Sequence, residues 1–343
     1  MARAVDELKR GRAVRIGSAA VLSVELADAA SLADLETHER ADLLLSHTRA
    51  ATLNIVNQRA AAETGPVRIR RAVWMGLAET LAAADPVQDL ATPLKGPYQT
   101  ISCGDADTAA AAIRLAKLAG LLPAVFIVPA HGELLAVEAD DVLGYSSSRG
   151  LRISARAKLP LDGAEATEIV AFRSLDGGPE HLALVIGDPP RRESVLTRLH
   201  SACLTGDVLS SLKCDCGPQL RAAIAAVSEA GGGIILYLQQ EGRGIGLLNK
   251  LRAYQLQDQG FDTVDANLRL GFEVDERDFG LAARMLQLMG FDRIRLLTNN
   301  PEKVAGLEAA GIQVTARVPL RAGEGDHNAA YLATKRDRTG HMM

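Results

Sequence analysis

The sequence predicts an α/β (α+β) protein of two domains, and three observations carry that prediction. Short apolar, β-branched runs alternate with stretches whose apolar residues recur at helical spacing. Polar and glycine residues cluster directly after several of the apolar runs. A stretch rich in Ser, Gly and Pro separates an Ala/Leu-rich first half from a second half dense in Cys, His, Arg and Asp.

Taken in order, residues 107–122 (DTAAAAIRLAKLAGLL) have helical periodicity and end on a Gly-Leu-Leu-Pro stop. Residues 124–128 read as the strand that follows. Residues 41–56 read as a further amphipathic helix. Ser146, Ser147, Ser148 and Gly150, then Pro160 and Gly163, place a boundary near residues 148–165, which separates a smaller α/β domain at 1–150 from a second domain at 151–343. Beyond that boundary, strands are expected at 181–188, 194–203, 234–240 and 294–297. Helices are expected at about 218–229, 246–257 and 276–289.

Composition narrows the function. Lys plus Arg total 38 against 42 Asp plus Glu, so the formal net charge of -4 argues against bulk nucleic-acid binding. Aromatics at 3% leave no base-stacking platform for single strands. No run reaches the roughly 18 apolar residues of a membrane span. The start, MARAVDELKRGRAV, lacks the apolar core of a secretory signal, so a cytoplasmic protein without a membrane partner is expected. Four cysteines are too few for a disulfide scaffold.

Three of those cysteines, Cys203, Cys214 and Cys216, form C-x10-C-x-C. Three thiolates with one open position describe a catalytic zinc site, because structural sites close with a fourth protein ligand. Such a site keeps a place for water and lowers that water's pKa. Three buried cysteines without metal, or a structural site closed by His200, are the alternatives. Arg198, His200, Asp207, Lys213, Asp215 and Gln219 crowd the same stretch and suggest a polar cleft.

Glu241, Gly242 and Arg243 lie in a glycine-containing turn, residues 240–246, between an apolar run and a helix. Backbone N–H groups at such a turn can approach an anion, and a guanidinium suits phosphate. The turn has neither G-x-G-x-x-G nor the P-loop pattern, and an ordinary strand-to-helix turn is the alternative. Asp275, Glu276, Arg277 and Asp278 precede another helix, where acids also serve as caps. In the functional reading Asp275 takes a proton and Arg277 stabilises phosphate charge. Thr298, Asn299, Asn300 and Lys303 follow the last apolar run, and strand ends are where ligands of open α/β sheets gather.

Read as motifs, RLHSACLTGD (198–207), SLKCDCGPQL (211–220), QEGRGIGLLNK (240–250), AYQLQDQGFDT (253–263), LGFEVDERDF (270–279), LLTNNPEK (296–303) and the tail at 327–341 resemble GTP cyclohydrolase II over residues 154–341. The resemblance implies a zinc-dependent enzyme that opens the imidazole ring of GTP, releasing formate and pyrophosphate, as the first committed step towards riboflavin. It implies zinc on Cys203, Cys214 and Cys216. It places Arg198, His200, Ser201, Gln219, Glu241, Gly242, Arg243, Thr263, Thr298 and Lys303 around the nucleotide. Asp275 becomes the proton acceptor, and Tyr254 orients water or a ring proton. The family describes the residue matching Arg277 as a nucleophile towards the α-phosphate. A guanidinium stays protonated, so electrostatic stabilisation is the easier chemistry. Magnesium on the triphosphate and a homodimer are implied as well.

Two departures qualify the resemblance. Ala202 stands where the family has glutamate, which removes an acceptor and favours, as an alternative, a relative that opens the ring of uridine monophosphate in uracil catabolism. Residues 107–130 resemble a late helix–strand unit of dihydroxybutanone-phosphate synthase, whose acidic metal-binding run is missing. Residues 18–36 read SAAVLSVELADAASLADLE in its place, and G-H-T-E is reduced to Gly104–Asp107 (GDAD). The first half is therefore expected to be a degenerate, non-catalytic synthase-like domain. A non-catalytic nucleotide-binding module is the remaining reading, from another class.

Overall fold

A computed structural model describes residues 1–320, 322, 323 and 338, and the tail motif at 327–341 lies outside the described residues apart from Arg338. Packing divides the chain into two units, Met1–Tyr145 with Ile245–Glu276, and Ser146–Gly244 with Arg277–Met343. The chain thus leaves the second unit after Gly244, contributes 245–276 to the first, and returns at Arg277. Among the described residues no helix is long and apolar enough to cross a membrane.

The first unit is built on seven strands: β1 (Val14–Ile16), β2 (Ala19–Ser23), β3 (Asp42–Leu45), β4 (Val67–Arg70), β5 (Gln99–Ile101), β6 (Ala124–Pro129) and β7 (Leu135–Val137). Their order is β5-β4-β3-β6-β2-β1-β7, antiparallel throughout except where β7 runs parallel to β1. Successive side chains point to opposite faces of a strand. Leu43, Leu45, Phe126 and Val128 accordingly face one core, which Ile245, Ala253, Leu256, Leu270 and Phe272 complete. Leu44, Val125 and Ile127 face the other, packed on Ala109, Ala112 and Ala116 of the helix Ala106–Leu118.

Burial on both faces corrects the helix expected at 41–56. Asp42–Leu45 is a strand, and a helix covers only His47–Thr52, started by Ser46 accepting from the Arg49 N–H. A short continuous apolar run cannot be told from a helix by periodicity alone. Asp105 of the GDAD stretch accepts from the Asp107 N–H and caps the helix Ala106–Leu118.

The second unit holds β8 (Arg152–Lys158), β9 (Thr167–Arg173), β10 (His181–Ile186), β11 (Val195–Ser201), β12 (Gly233–Leu238), β13 (Arg293–Leu297) and β14 (Gln313–Val318). Their order is β14-β13-β11-β12-β10-β9-β8. β8, β9, β10 and β12 pair antiparallel, while β12, β11, β13 and β14 run parallel. The stretch at 148–165, read as a boundary, therefore contains an edge strand. The helix Cys216–Glu229 covers one face through Ala223 and Val227, against Leu196 and Ile235. The helix Phe279–Met289 covers the other through Met285 and Leu286, against Leu199, Leu236 and Ile294. It begins at Phe279 rather than 276 because the Asp278 side chain accepts from the Leu281 N–H. Gly233 admits close pairing, since a Cβ there would lie 2.2 Å from the Leu196 carbonyl oxygen.

β11 lies between β12 and β13, so the chain crosses to one side of it and later returns on the other. That reversal is a topological switch point, and the crevice beyond the carboxyl ends of such strands is where ligands bind in open α/β sheets.

His181, at the start of β10, is 3% exposed and its Nδ1 accepts from the Gln239 N–H at 3.1 Å. Its ring is therefore neutral, and burial pulls its pKa from 6.5 to about 4 despite the nearby Asp278. The unfolded chain binds the proton more readily, so stability falls as pH drops from about 6.5 to 4, by on the order of 3 kcal/mol at most. Urea denaturation across that pH range should show this loss. His181→Gln, which can still accept from Gln239, should flatten the slope, and an identical slope in the variant would contradict the assignment.

Candidate active site

Residues after β11, β12 and β13 build the site, and each is held by a bond that the parallel register makes available. β11 is buried along almost its whole length, yet it carries Arg198 and His200. Buried polar groups need partners. The Arg198 Nη1 donates to the Leu297 carbonyl at 2.9 Å and Nη2 to Gln219 Oε1 at 2.7 Å. Gln219 in turn donates through Nε2 to Asp215. Burial lowers the Arg198 pKa to about 10; Asp215 and Cys216 oppose this and Arg277 adds to it. Among the described residues nothing accepts from the buried Arg198 Nε–H or Asn300 Nδ2. Donors of this kind suit an anion.

His200 Nε2 lies 3.1 Å from both carboxylate oxygens of Asp207. Asp207 also accepts from the Cys203 N–H at 3.0 Å and from the Tyr237 hydroxyl at 2.9 Å. The parallel register sets Tyr237 beside His200, and the two rings stack with centroids 5.6 Å apart. Burial pulls the His200 pKa down while Asp207 opposes it, and burial followed by the Asp207 bond raises that of Tyr237.

The Sγ atoms of Cys203, Cys214 and Cys216 lie within 4.8 Å of one another, which makes a group able to hold a metal ion. His200 is not part of that group, so its place as a fourth ligand is not supported. Cys203 Sγ is 3.7 Å from Cys214 Sγ and accepts from the Gly206 N–H at 3.3 Å. A Cβ on Gly206 would meet Cys214 Sγ at 2.6 Å and Cys203 Sγ at 3.1 Å, so glycine is what lets this loop close over the thiols.

After β12, Glu241 accepts from the Leu204 N–H at 2.9 Å and ties the turn to the thiol loop. Gly242 and Arg243 both adopt left-handed backbone, with φ of 63° and 59°. That conformation is uncommon for arginine. Gln240 Nε2 donates to the Asp278 carbonyl at 3.1 Å, while Ser146 and Ser147 donate to the Asp278 side chain. These bonds anchor the segment next to Arg277, whose guanidinium lies 5.2 Å from the Phe279 ring. After β13, buried Lys303 donates to the Leu199 carbonyl at 2.8 Å. The buried Thr298 hydroxyl accepts from the Asn300 N–H at 3.0 Å.

The second unit thus brings together Arg198, His200, Ser201, Cys203, Cys214, Cys216, Gln219, Glu241, Gly242, Arg243, Thr298 and Lys303, with Arg277 on the same unit. Tyr254, Thr263 and Asp275 belong to the first unit. There the Thr263 hydroxyl accepts from Gln257 at 3.0 Å and Lys250 lies 5.6 Å from the Tyr254 ring. Asn299 and Asn300 have structural work: Asn299 bonds both backbone groups of Leu320, and Asn300 caps the helix Pro301–Ala309. Sequence reasoning gave no role to Asp207, Gly206 or Tyr237. Asp207, four residues past Cys203, was visible as a polar neighbour, but Tyr237 sits in an apolar strand with nothing to mark it.

Residues 152–319 match the family model for GTP cyclohydrolase II. The chain is 45% identical over 362 residues to a GTP cyclohydrolase-2 of Azospirillum brasilense, across 99% of this chain and 93% of that protein. It is 55% identical over 193 residues to a GTP cyclohydrolase-2 of Proteus mirabilis, across 56% of this chain and 96% of the relative. Among solved structures, a two domain 3,4-dihydroxy-2-butanone 4-phosphate synthase from A. baumannii aligns over 93% of this chain and 98% of its own, at 16% identity and a TM-score of 0.33.

The Gly206 contact generates a test. Gly206→Ala should lower the affinity of the three thiols for a divalent probe ion such as Co2+ by about 10–100-fold, the range for residues that support metal ligands. Competition titration with a chromophoric chelator measures it, and wild-type affinity would show that the loop does not set the thiol spacing.

Proposed function

We propose that this chain, which belongs to the GTP cyclohydrolase II family, opens the imidazole ring of GTP by hydrolysis, with release of formate and pyrophosphate, in riboflavin synthesis. The observation that carries the reading is the convergence of three thiols beside buried Arg198 and His200, in a chain alike to a GTP cyclohydrolase-2 over 99% of its length.

The thiols fit zinc. Two sulfurs on a tetrahedral ion at about 2.3 Å lie about 3.8 Å apart, and Cys203 and Cys214 are separated by 3.7 Å. Zinc bound to Cys203, Cys214 and Cys216 would supply a Lewis acid able to lower the pKa of water. Arg198, Lys303, Arg243 and Arg277 bind the phosphates, with Mg2+ on the triphosphate offsetting its charge. The Arg277 guanidinium stabilises the charge that develops at the α-phosphate. Gln219, Ser201, Thr298, Glu241 and Gly242 orient the nucleotide by hydrogen bonds, a role the family pattern also gives to Thr263. By the family pattern Asp275 accepts the proton and Tyr254 orients water.

The Ala202 side chain is buried, and its N–H donates to the Leu238 carbonyl at 2.7 Å, which continues the sheet. A methyl at this position offers the base no acceptor, which makes base selectivity the property to measure. The first unit is proposed as a synthase-like domain without the synthase chemistry. Residues 18–36, where the acidic run would stand, form fully buried β2 and the helix Ala29–Leu35. A cytoplasmic homodimer completes the reading.

Purified protein given GTP should release formate and pyrophosphate in equal amounts as ring absorbance changes. Ring loss from uridine monophosphate with GTP untouched would overturn the reading. Cys214→Ser should lose zinc and turnover together, activity falling by at least about 100-fold. Metal analysis beside the rate measurement decides it, since a metal-free variant that still turned over GTP would exclude the mechanism.

A further inference from the structure

We propose that Asp207 is a positioning residue that holds the His200 imidazole as the tautomer protonated on Nε2, so that Nδ1 is the basic nitrogen of the ring. The inference rests on the reading that His200 contacts the nucleotide.

The donors that converge on Asp207 leave no other assignment. Its side chain is 4% exposed, and the ring of His200 is 3% exposed. The Cys203 N–H can only donate, and it meets Oδ2 at 3.0 Å. The Tyr237 hydroxyl meets the same oxygen at 2.9 Å. An ionised carboxylate has only acceptors to offer. His200 Nε2, at 3.1 Å from both oxygens, must then carry the proton. Among the described residues, both hydrogen bonds of the ring run through Nε2. The backbone closes the arrangement from the other side, because the Asp207 N–H donates to the Cys203 carbonyl at 2.7 Å. One carboxylate thus fixes three things at once: the tautomer of His200, the backbone of the first thiol ligand and the hydroxyl of Tyr237. The strand pair β11–β12 keeps the two rings stacked, and a ring turned over by 180° would set a C–H in place of Nε2 against the carboxylate.

Asp207→Asn separates positioning from mere support. The amide is the same size, and its carbonyl oxygen can still accept from the Cys203 N–H and the Tyr237 hydroxyl. Its NH2 then faces Nε2 as a donor. Two N–H groups facing each other repel, which favours Nε2 as an acceptor with the proton on Nδ1. The ring keeps its place but presents a donor where it had presented an acceptor, and a wrong tautomer of this kind is costly in catalysis.

The test measures Asp207→Asn with GTP, zinc content by metal analysis, and the imidazole nitrogen-15 shifts of His200. The expected result is one zinc per chain as in the wild type, kcat/KM lower by about 100-fold or more, and protonation moved from Nε2 to Nδ1. Tyr237→Phe keeps the carboxylate facing Nε2 and should leave the wild-type tautomer in place. Wild-type kcat/KM in Asp207→Asn, activity lost only in proportion to zinc, or a wild-type His200 protonated on Nδ1 would each overturn the proposal. The nitrogen-15 readout needs no turnover, so it decides on the tautomer even if GTP proves not to be the substrate.

Discussion

Everything at the site depends on β11 running parallel between β12 and β13, buried on both faces. Parallel pairing carries three strand ends to one edge of the sheet, and the polar residues that follow those strands arrive there together. Leu196, Leu199, Leu236 and Ile294 supply the burial that holds the strands in register. A register shift of one residue would turn every side chain of β11 to the opposite face. Arg198 and His200, two residues apart, share a face by the alternation of the strand, and the register decides which face of the sheet that is.

Burial then governs the chemistry. A guanidinium and an imidazole inside a strand lose water, and the fold replaces it with fixed partners: a strand-end carbonyl and Gln219 for Arg198, and Asp207 for His200. Groups held this way need little reorganisation when charge develops nearby, which is what a hydrolytic site for a charged nucleotide requires. The same low dielectric makes each partner consequential. An unpaired buried polar group is costly, so the Asp215–Gln219–Arg198 chain and the Asp207 cluster hold their members to one arrangement.

The path of the chain between β12 and β13 has a second consequence. Ile245, Ala253, Leu256, Leu270 and Phe272 complete the core of the unit that carries the N-terminus. Tyr254, Thr263 and Asp275 sit on that same excursion, so their positions follow from the packing of the first unit. The first half of the chain therefore bears on residues of the family motif, although it contributes none of its own.

Much of this was legible in one dimension. Alternating apolar runs and caps located the second unit's main strands and helices to within a few residues. C-x10-C-x-C marked the three thiols that come together in the fold, because ligand chemistry restricts residue type and local spacing. Residues 41–56 misled, since a strand buried on both faces shows no alternation. The assignment of 245–276 to the first unit was also hidden, because an amphipathic helix does not announce which core it completes. Asp207, Gly206 and Tyr237 needed three dimensions. Their roles arise from a loop closing over sulfur and from two strands in parallel register, contacts between residues distant in sequence that no local pattern encodes.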